Sequence, residues 1–400
     1  MKIINYLCSL FLFVALLSSA SCSKDSDDPT PTPEDPIAEL MNSTLATEVK
    51  ANYAELVYAS YQDAYAEAEK LKAAIDAFLL TPDATTLEAA KSAWIAAREP
   101  YSQTEAYRFS NGPIDDGDGP EGFLNAWPLD ESWIDYVEGN TAAGFINDPD
   151  FVLSKQALES ENERGGENNI SIGYHAIEFL LWGQDLSEPA AMQSGLRPHT
   201  DYLTDGTGTA ANQDRRKEYL RICAELLLDH LQLLLDDWSP SGASNYRATF
   251  MSLDNPVAFK NILVGIGQMA KSELASERMN VALASQRQED EQSCFSDNTH
   301  RDIRLNALGI KNVYTGTYAR IDGSLVSGSS LSDLVRAIDA TADEAVLNAI
   351  STAAGAIEAT AIPFDLAISE SAERDKVFTA VLNIQAVGDA VERAASALEL

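Results

Sequence analysis

Apolar residues recur at helical spacing along almost the whole body of this chain, and that period constrains its fold more than any other feature. Tyr53, Leu56, Val57, Ser60, Ala64, Leu71, Ile75 and Phe78 fall on one stripe, as one face of a long helix requires. Thr81, Pro82 and Asp83 close that helix and open the next, which carries Leu87, Ala90, Trp94 and Ala97. Residues 172–182 read as a buried helix. In the second half, Tyr219, Ile222, Leu226 and Trp238 mark one stripe and Phe259, Ile262, Ile266, Ala270 and Leu274 another. Ile303, Ala307, Ile310, Tyr314 and Tyr318 mark a third, and two Ala-rich helices are expected over about 332–361 and 369–398. No segment shows strand alternation. Long helices joined by short loops imply antiparallel bundles. With 400 residues the chain exceeds the size at which one core stops growing. The expected fold is therefore all-α, with two packed helical bundles over residues 37–200 and 201–400.

The N-terminal end is different in kind. Residues 1–21 combine Lys2, an apolar run too short to span a bilayer, and small residues before Cys22, the pattern of an export signal. Ser19, Ala20, Ser21 and Cys22 resemble a bacterial lipobox, with Ser19 where leucine is usual. Cleavage before Cys22 and lipidation of its sulfur are expected. Residues 22–36 are charged and Pro-rich, a tether unable to bury apolar surface. The expected location is the cell envelope, as an outer-membrane lipoprotein facing the periplasm or the outside, held by lipid on Cys22. Cys223 and Cys294 remain in the body, at a spacing that demands no disulfide. Acidic residues outnumber basic ones 62 to 28, a formal net charge of −34, so nucleic-acid phosphates are repelled and no nucleic-acid partner is expected. The same surface attracts cations.

The sharpest chemical feature is His175 followed by Glu178. At i and i+3 they share a helix face, roughly 5–6 Å apart at Cβ. An imidazole and a carboxylate so placed can share a transition metal; they can equally form a structural hydrogen bond. H-E-x-x-H and H-x-x-E-H both fail, because Ala176 and Phe179 stand where Glu or His is needed. Further ligands must come from other helices. Trp94, Arg98, Tyr101, Glu105 and Arg108 share a face that is apolar upstream, so Glu105 is a candidate ligand and Arg98, Tyr101 and Arg108 line the candidate site. The alternative is a purely structural Arg–Glu lattice, with Pro100 turning the face outward. Glu277 continues the stripe through Leu274, with Arg278 as its expected partner. Near the third stripe, Asp297 and His300 belong to a capped helix start, and a histidine there is biased towards its neutral, ligating form by the helix dipole. His230 reads as a core histidine and His199 as a loop residue.

These residues, with the blocks around Trp94 to Phe109, Gly112 to Asp115, Leu124 to Asp130, Gly173 to Asp185, Ser276 to Met279 and Cys294 to Ile303, resemble the imelysin family, in particular its iron-regulated branch. The family's G-x-H-x-x-E falls on Gly173, His175 and Glu178. The resemblance spans about residues 40–400 and draws Asp130 into the candidate site. It implies two helical bundles with the site between them, export to the envelope, and a link to iron uptake through a receptor. It also implies a peptidase label.

Three functions follow. The first is a lipoprotein of iron acquisition that binds a metal ion, iron or zinc, through His175, Glu178, Glu105 and His300, with Glu277 and Asp297 as further candidates. The second is a metallopeptidase using His175 and Glu178, in which a bound metal activates water. The third is a non-catalytic surface scaffold.

Overall fold

The first long helix, α1, spans Thr44–Leu80, and its N-terminus is capped by the Ser43 side chain, which accepts from the Ala46 N–H. The computed structural model describes residues 35–117 and 119–400; the export signal, Cys22 and the tether up to residue 34 lie outside the described residues. All the apolar positions of the first stripe are buried. Asp83 caps α2 (Ala84–Thr104), and Thr86 completes a reciprocal capping box with it. This satisfies two of the amide donors that a helix start leaves unpaired. Pro100 lies inside α2, yet Trp94, Arg98 and Tyr101 stay buried, so the proline does not turn that face outward.

Helix α3 (Tyr174–Trp182) is buried at every residue, His175 and Glu178 included. Helix α4 (Gln213–Trp238) packs on α1 and α3. A second group follows: α5 (Asn255–Gln268), which runs on as a π-helix over Met269–Asn280, then α6 (Thr299–Thr315), α7 (Ala340–Glu358) and α8 (Ser371–Ala397). Helix α8 packs on α7, α5 and the π segment, while α6 packs on both α7 and α2. Gly309 allows this last approach, since a Cβ there would stand 2.3 Å from the Gln103 carbonyl oxygen. Residues 36–400 form one compact unit, with one large apolar cluster drawing on both helix groups.

The fold is all-α, as the periodicity implies, with three local departures. The third stripe does not continue to Tyr318. Gly316 takes a left-handed φ of 65° at the end of α6, where glycine pays no Cβ penalty. Thr317–Ala319 (β1) then pairs antiparallel with Leu325–Ser327 (β2), Tyr318 opposite Val326, and the Tyr318 hydroxyl donates to Asp63 at 3.0 Å. The helix expected over about 332–361 breaks at Asp339, whose side chain caps α7 after the short helix Leu331–Ile338. Cys223 and Cys294 are both free thiols. No described helix is long and apolar enough to cross a membrane.

Candidate functional site

The start of α3 is fixed by backbone geometry. Gly173 adopts φ 90° and ψ −173°, a region essentially reserved for glycine. A Cβ there would also stand 2.7 Å from the Leu124 carbonyl oxygen. The indole N–H of Trp94 donates to the Tyr174 carbonyl at 2.9 Å. Together these contacts aim the first turn of α3, with His175 and Glu178, into the core.

His175 and Glu178 meet directly. Nδ1 of the imidazole lies 2.8 Å from Oε2 of the carboxyl. The other carboxyl oxygen accepts from the Ser296 amide at 2.9 Å and the Ser296 hydroxyl at 2.7 Å, so the loop before α6 closes over α3. Both side chains are buried. Burial pushes the Glu178 carboxyl up to about 8, aided by the Asp302 charge and opposed by Ser296 and Arg98. Burial, with the Arg98 and Arg278 charges, holds His175 well below the ordinary imidazole range. Both shifts favour the uncharged forms, a carboxylic acid beside a neutral imidazole. Nε2 of His175 is buried and has no hydrogen-bond partner among the described residues.

A buried ionic lattice surrounds this pair. Arg98 donates through Nε and Nη2 to one oxygen of Asp302, at 3.1 and 2.9 Å, and through Nη1 to Asn125 at 2.5 Å. Ser102 and Ser293 also donate to Asp302. Asn125 continues to Glu105 at 3.2 Å, and the second Glu105 oxygen accepts from Arg278. Arg278 further donates to Glu273 and Asn306 at 2.8 Å each. At the rim, Arg108 pairs with Glu121 at 2.9 Å.

The candidates from sequence thus separate. His175 and Glu178 come together. Glu105 is buried but spends both oxygens on Asn125 and Arg278. His300 is half-buried, with Nδ1 3.0 Å from the Asp297 carbonyl oxygen, while Asp297 is half-buried in a left-handed conformation, φ 60°. Arg98, Tyr101 and Arg108 do line the lattice. Asp130 is exposed and holds the Ser132 amide. Glu277 is exposed, and its neighbour Arg278 faces inward instead, because the π segment closes i to i+5 and shifts the α-helical phase of the stripe. Among the described residues no group of three or more His, Cys, Asp or Glu is placed to hold a metal ion. Asn125, Ser296 and Asp302 carry no site signal in the sequence, because short polar residues in Gly- and Asp-rich loops look like turn and cap chemistry. A surface cavity of about 570 Å³, lined by Tyr136, Asp185, Leu186, Leu196 and Arg197 among others, does not include His175 or Glu178.

The imelysin (peptidase M75) family matches residues 57–391. The chain belongs to the imelysin family. Iron-regulated protein A of Synechococcus elongatus is 28% identical over 348 residues, 85% of this chain and 82% of that one. Two solved structures share the imelysin fold. A putative iron-regulated protein A precursor from Parabacteroides distasonis aligns with a TM-score of 0.63 at 21% identity, over 88% of this chain and 95% of that one. An imelysin-like protein from Psychrobacter arcticum aligns with a TM-score of 0.55 at 14% identity, over 84% and 91%.

Proposed function

We propose that this imelysin is an envelope lipoprotein of iron acquisition, binding a metal ion between the two helix groups and anchored in the outer membrane through lipid on Cys22. An uptake receptor is its partner in this reading. The supporting observation is the state of His175. Its Nδ1 is held by a carboxyl group and its Nε2 is buried without a partner. Metal-ligating histidines recur in that arrangement, because the carboxylate fixes the ring and raises its basicity. Glu178 then orients the ligand rather than sharing the ion. Glu105 has both oxygens engaged, by Asn125 and Arg278, while His300 keeps a ring supported by the Asp297 carbonyl and remains a candidate ligand. The name of the Synechococcus relative, an iron-regulated protein, makes iron the cargo to test first.

Proton accounting supplies the test. The metal-free pair holds two protons at neutral pH: one on Glu178, bonded to Nδ1, and one on Nε2. Ligation needs a bare Nε2. The proton on Nε2 must leave, and the carboxyl proton moves to Nδ1. Glu178→Gln blocks this. The Gln oxygen must face the Ser296 donors, its NH2 then faces Nδ1, and the proton stays on Nε2. Calorimetric titration with ferrous and zinc ions should show stoichiometric binding by the mature chain. Glu178→Gln should bind on the order of 10–100-fold more weakly, the usual effect of losing a ligand's supporting group, and His175→Ala, which removes the ligand itself, should lose at least as much. Equal affinity in the chain and both variants would refute the site.

A further inference from the structure

The surface cavity of about 570 Å³ has no part in the iron reading, and its walls have a chemistry of their own. The chain leaving α3, from Gly183 to Ser187, forms one side, and its return, from Ser194 to Pro198, forms another. The return is pinned by backbone bonds: the Gly195 amide donates to the Phe295 carbonyl at 2.9 Å and the Arg197 amide to the Trp182 carbonyl at 2.7 Å. A Cβ at Gly195 would stand 2.6 Å from the Trp182 carbonyl oxygen, so only glycine permits this approach. The turn around Glu138 adds a third side, held by its amide donating to the Gln184 side-chain oxygen at 2.7 Å. Walls fixed in this way form the cavity before a ligand arrives, which lowers the cost of binding.

The lining is apolar with two acids in it. Val137, Leu186 and Leu196 supply hydrocarbon, and the two leucines are 64% and 69% exposed, so covering them removes apolar surface from water. Glu138 and Asp185 supply carboxylates. Arg197 is the one basic residue in the wall, and its side chain is only 1% exposed. Its guanidinium turns inward and donates to Asp135 at 2.5 Å. Behind the wall, Arg197 and Arg216 are matched by Asp135 and Asp201, so that group carries no net charge. Asp185 holds the Ser187 amide and hydroxyl at 2.9 and 2.8 Å, and the charged groups that act on it, Asp297 and Glu289, are both acidic. No arginine or lysine pairs with Glu138 or Asp185 among the described residues.

The geometry points to a binding site for a small organic cation, whose ammonium group answers the Glu138 and Asp185 carboxylates and whose hydrocarbon body covers Val137, Leu186 and Leu196. The cavity lies within the range of about 300–1,000 Å³ typical of small-molecule sites. A bare metal ion would leave the leucines uncovered, and an organic anion would meet two like charges. Glu138 is exposed, so the ammonium keeps part of its hydration and avoids the full penalty of a buried charge.

The test is fluorescence titration of the mature chain with two ligands of the same ring system, naphthylmethylammonium and naphthylacetate. The ammonium should bind once per chain and at least roughly tenfold more tightly than the anion, because carboxylates a few ångströms away attract one and repel the other. Glu138→Lys reverses a charge at an exposed residue and should weaken the ammonium roughly tenfold. Leu196→Ser should weaken it several-fold by removing apolar contact. Circular dichroism checks that both variants fold, and the comparison of the two ligands on the unaltered chain decides even if one does not. Equal affinity for the two ligands, or no binding of either, overturns the site. Ammonium binding that both substitutions leave unchanged overturns it as well, since it marks a counter-ion on the acidic surface.

Discussion

Glu178→Gln should alter the pH dependence of folding in a defined direction. In the native chain the Glu178 carboxyl titrates at about 8; in the unfolded chain a glutamate titrates near ~4.3. Between those values the folded state holds a proton that the unfolded state has released, so stability falls as pH rises. The contribution is intact below the unfolded value and is lost once pH passes the folded one. His175 works the opposite way, through the charging of the unfolded imidazole around pH 6.5 and below. It is present in both proteins, so its part cancels in their difference, and the change from pH 6.5 to 8 reports Glu178. The full linkage is ~1.4 kcal/mol per pH unit and flattens as pH reaches the folded value, giving about 1.5 kcal/mol across the window. Gln is isosteric, never ionises and keeps the Ser296 contacts. Asp302, Arg98 and Arg278, the charges that act on the pair, are common to both proteins. Glu121 and Asp297, both raised to about 7, titrate in both and cancel. Urea unfolding of the metal-free proteins, followed by circular dichroism at pH 6.5 and 8, should show the wild type losing about 1.5 kcal/mol relative to the variant. A difference that stays constant, or shifts in favour of the wild type, would refute the neutral-acid assignment of Glu178.

Further outcomes can be checked more briefly. Gly173→Ala forces a residue with a Cβ into φ 90° against the Leu124 carbonyl, and thermal or urea unfolding should show a loss of about 1–3 kcal/mol or more. Cys22→Ala should move the protein from the membrane fraction to a soluble pool or leave an unprocessed precursor; unchanged membrane association would remove the lipoprotein reading. The purified mature chain should cleave casein or insulin no faster than a His175→Ala control, because both zinc-protease spacings are absent. Robust cleavage lost in that control would establish the metallopeptidase instead.

Most helices were legible because their signals are local. The α1 stripe and the Asp83 stop-and-start at α2 need only helical spacing and a capping side chain, and both appear as read. The G-x-H-x-x-E motif was legible as a pair on one face, and its glycine is explained by backbone geometry. What failed depended on contacts remote in sequence or on a change of helical pitch. Glu105 looked like a free inward carboxylate, yet Arg278, 173 positions away, takes one of its oxygens. Glu277 and Arg278 exchanged roles because a π-helix cannot be told from an α-helix by an apolar stripe. Tyr318 kept the spacing of its stripe while Gly316 had already ended the helix.

Completeness of pairing separates scaffold from site in this core. Arg98, Asp302, Glu105 and Arg278 all sit in the interior, where breaking a buried pair typically costs about 3–5 kcal/mol. Each is matched by an opposite charge or a neutral donor or acceptor. Such a lattice fixes α2 against α6 and the π segment, and nothing in it invites a ligand. His175 Nε2 and the hydroxyls of Tyr61, Tyr101 and Tyr174 are buried beside it and unmatched. In the metal reading proposed above, a donor held in place by such a frame loses little entropy when an ion arrives. The Arg–Glu lattice and the proposed metal site are therefore not competing explanations of the same residues: the lattice positions the helices, and the proposal draws on an atom that it leaves unpaired, Nε2 of His175.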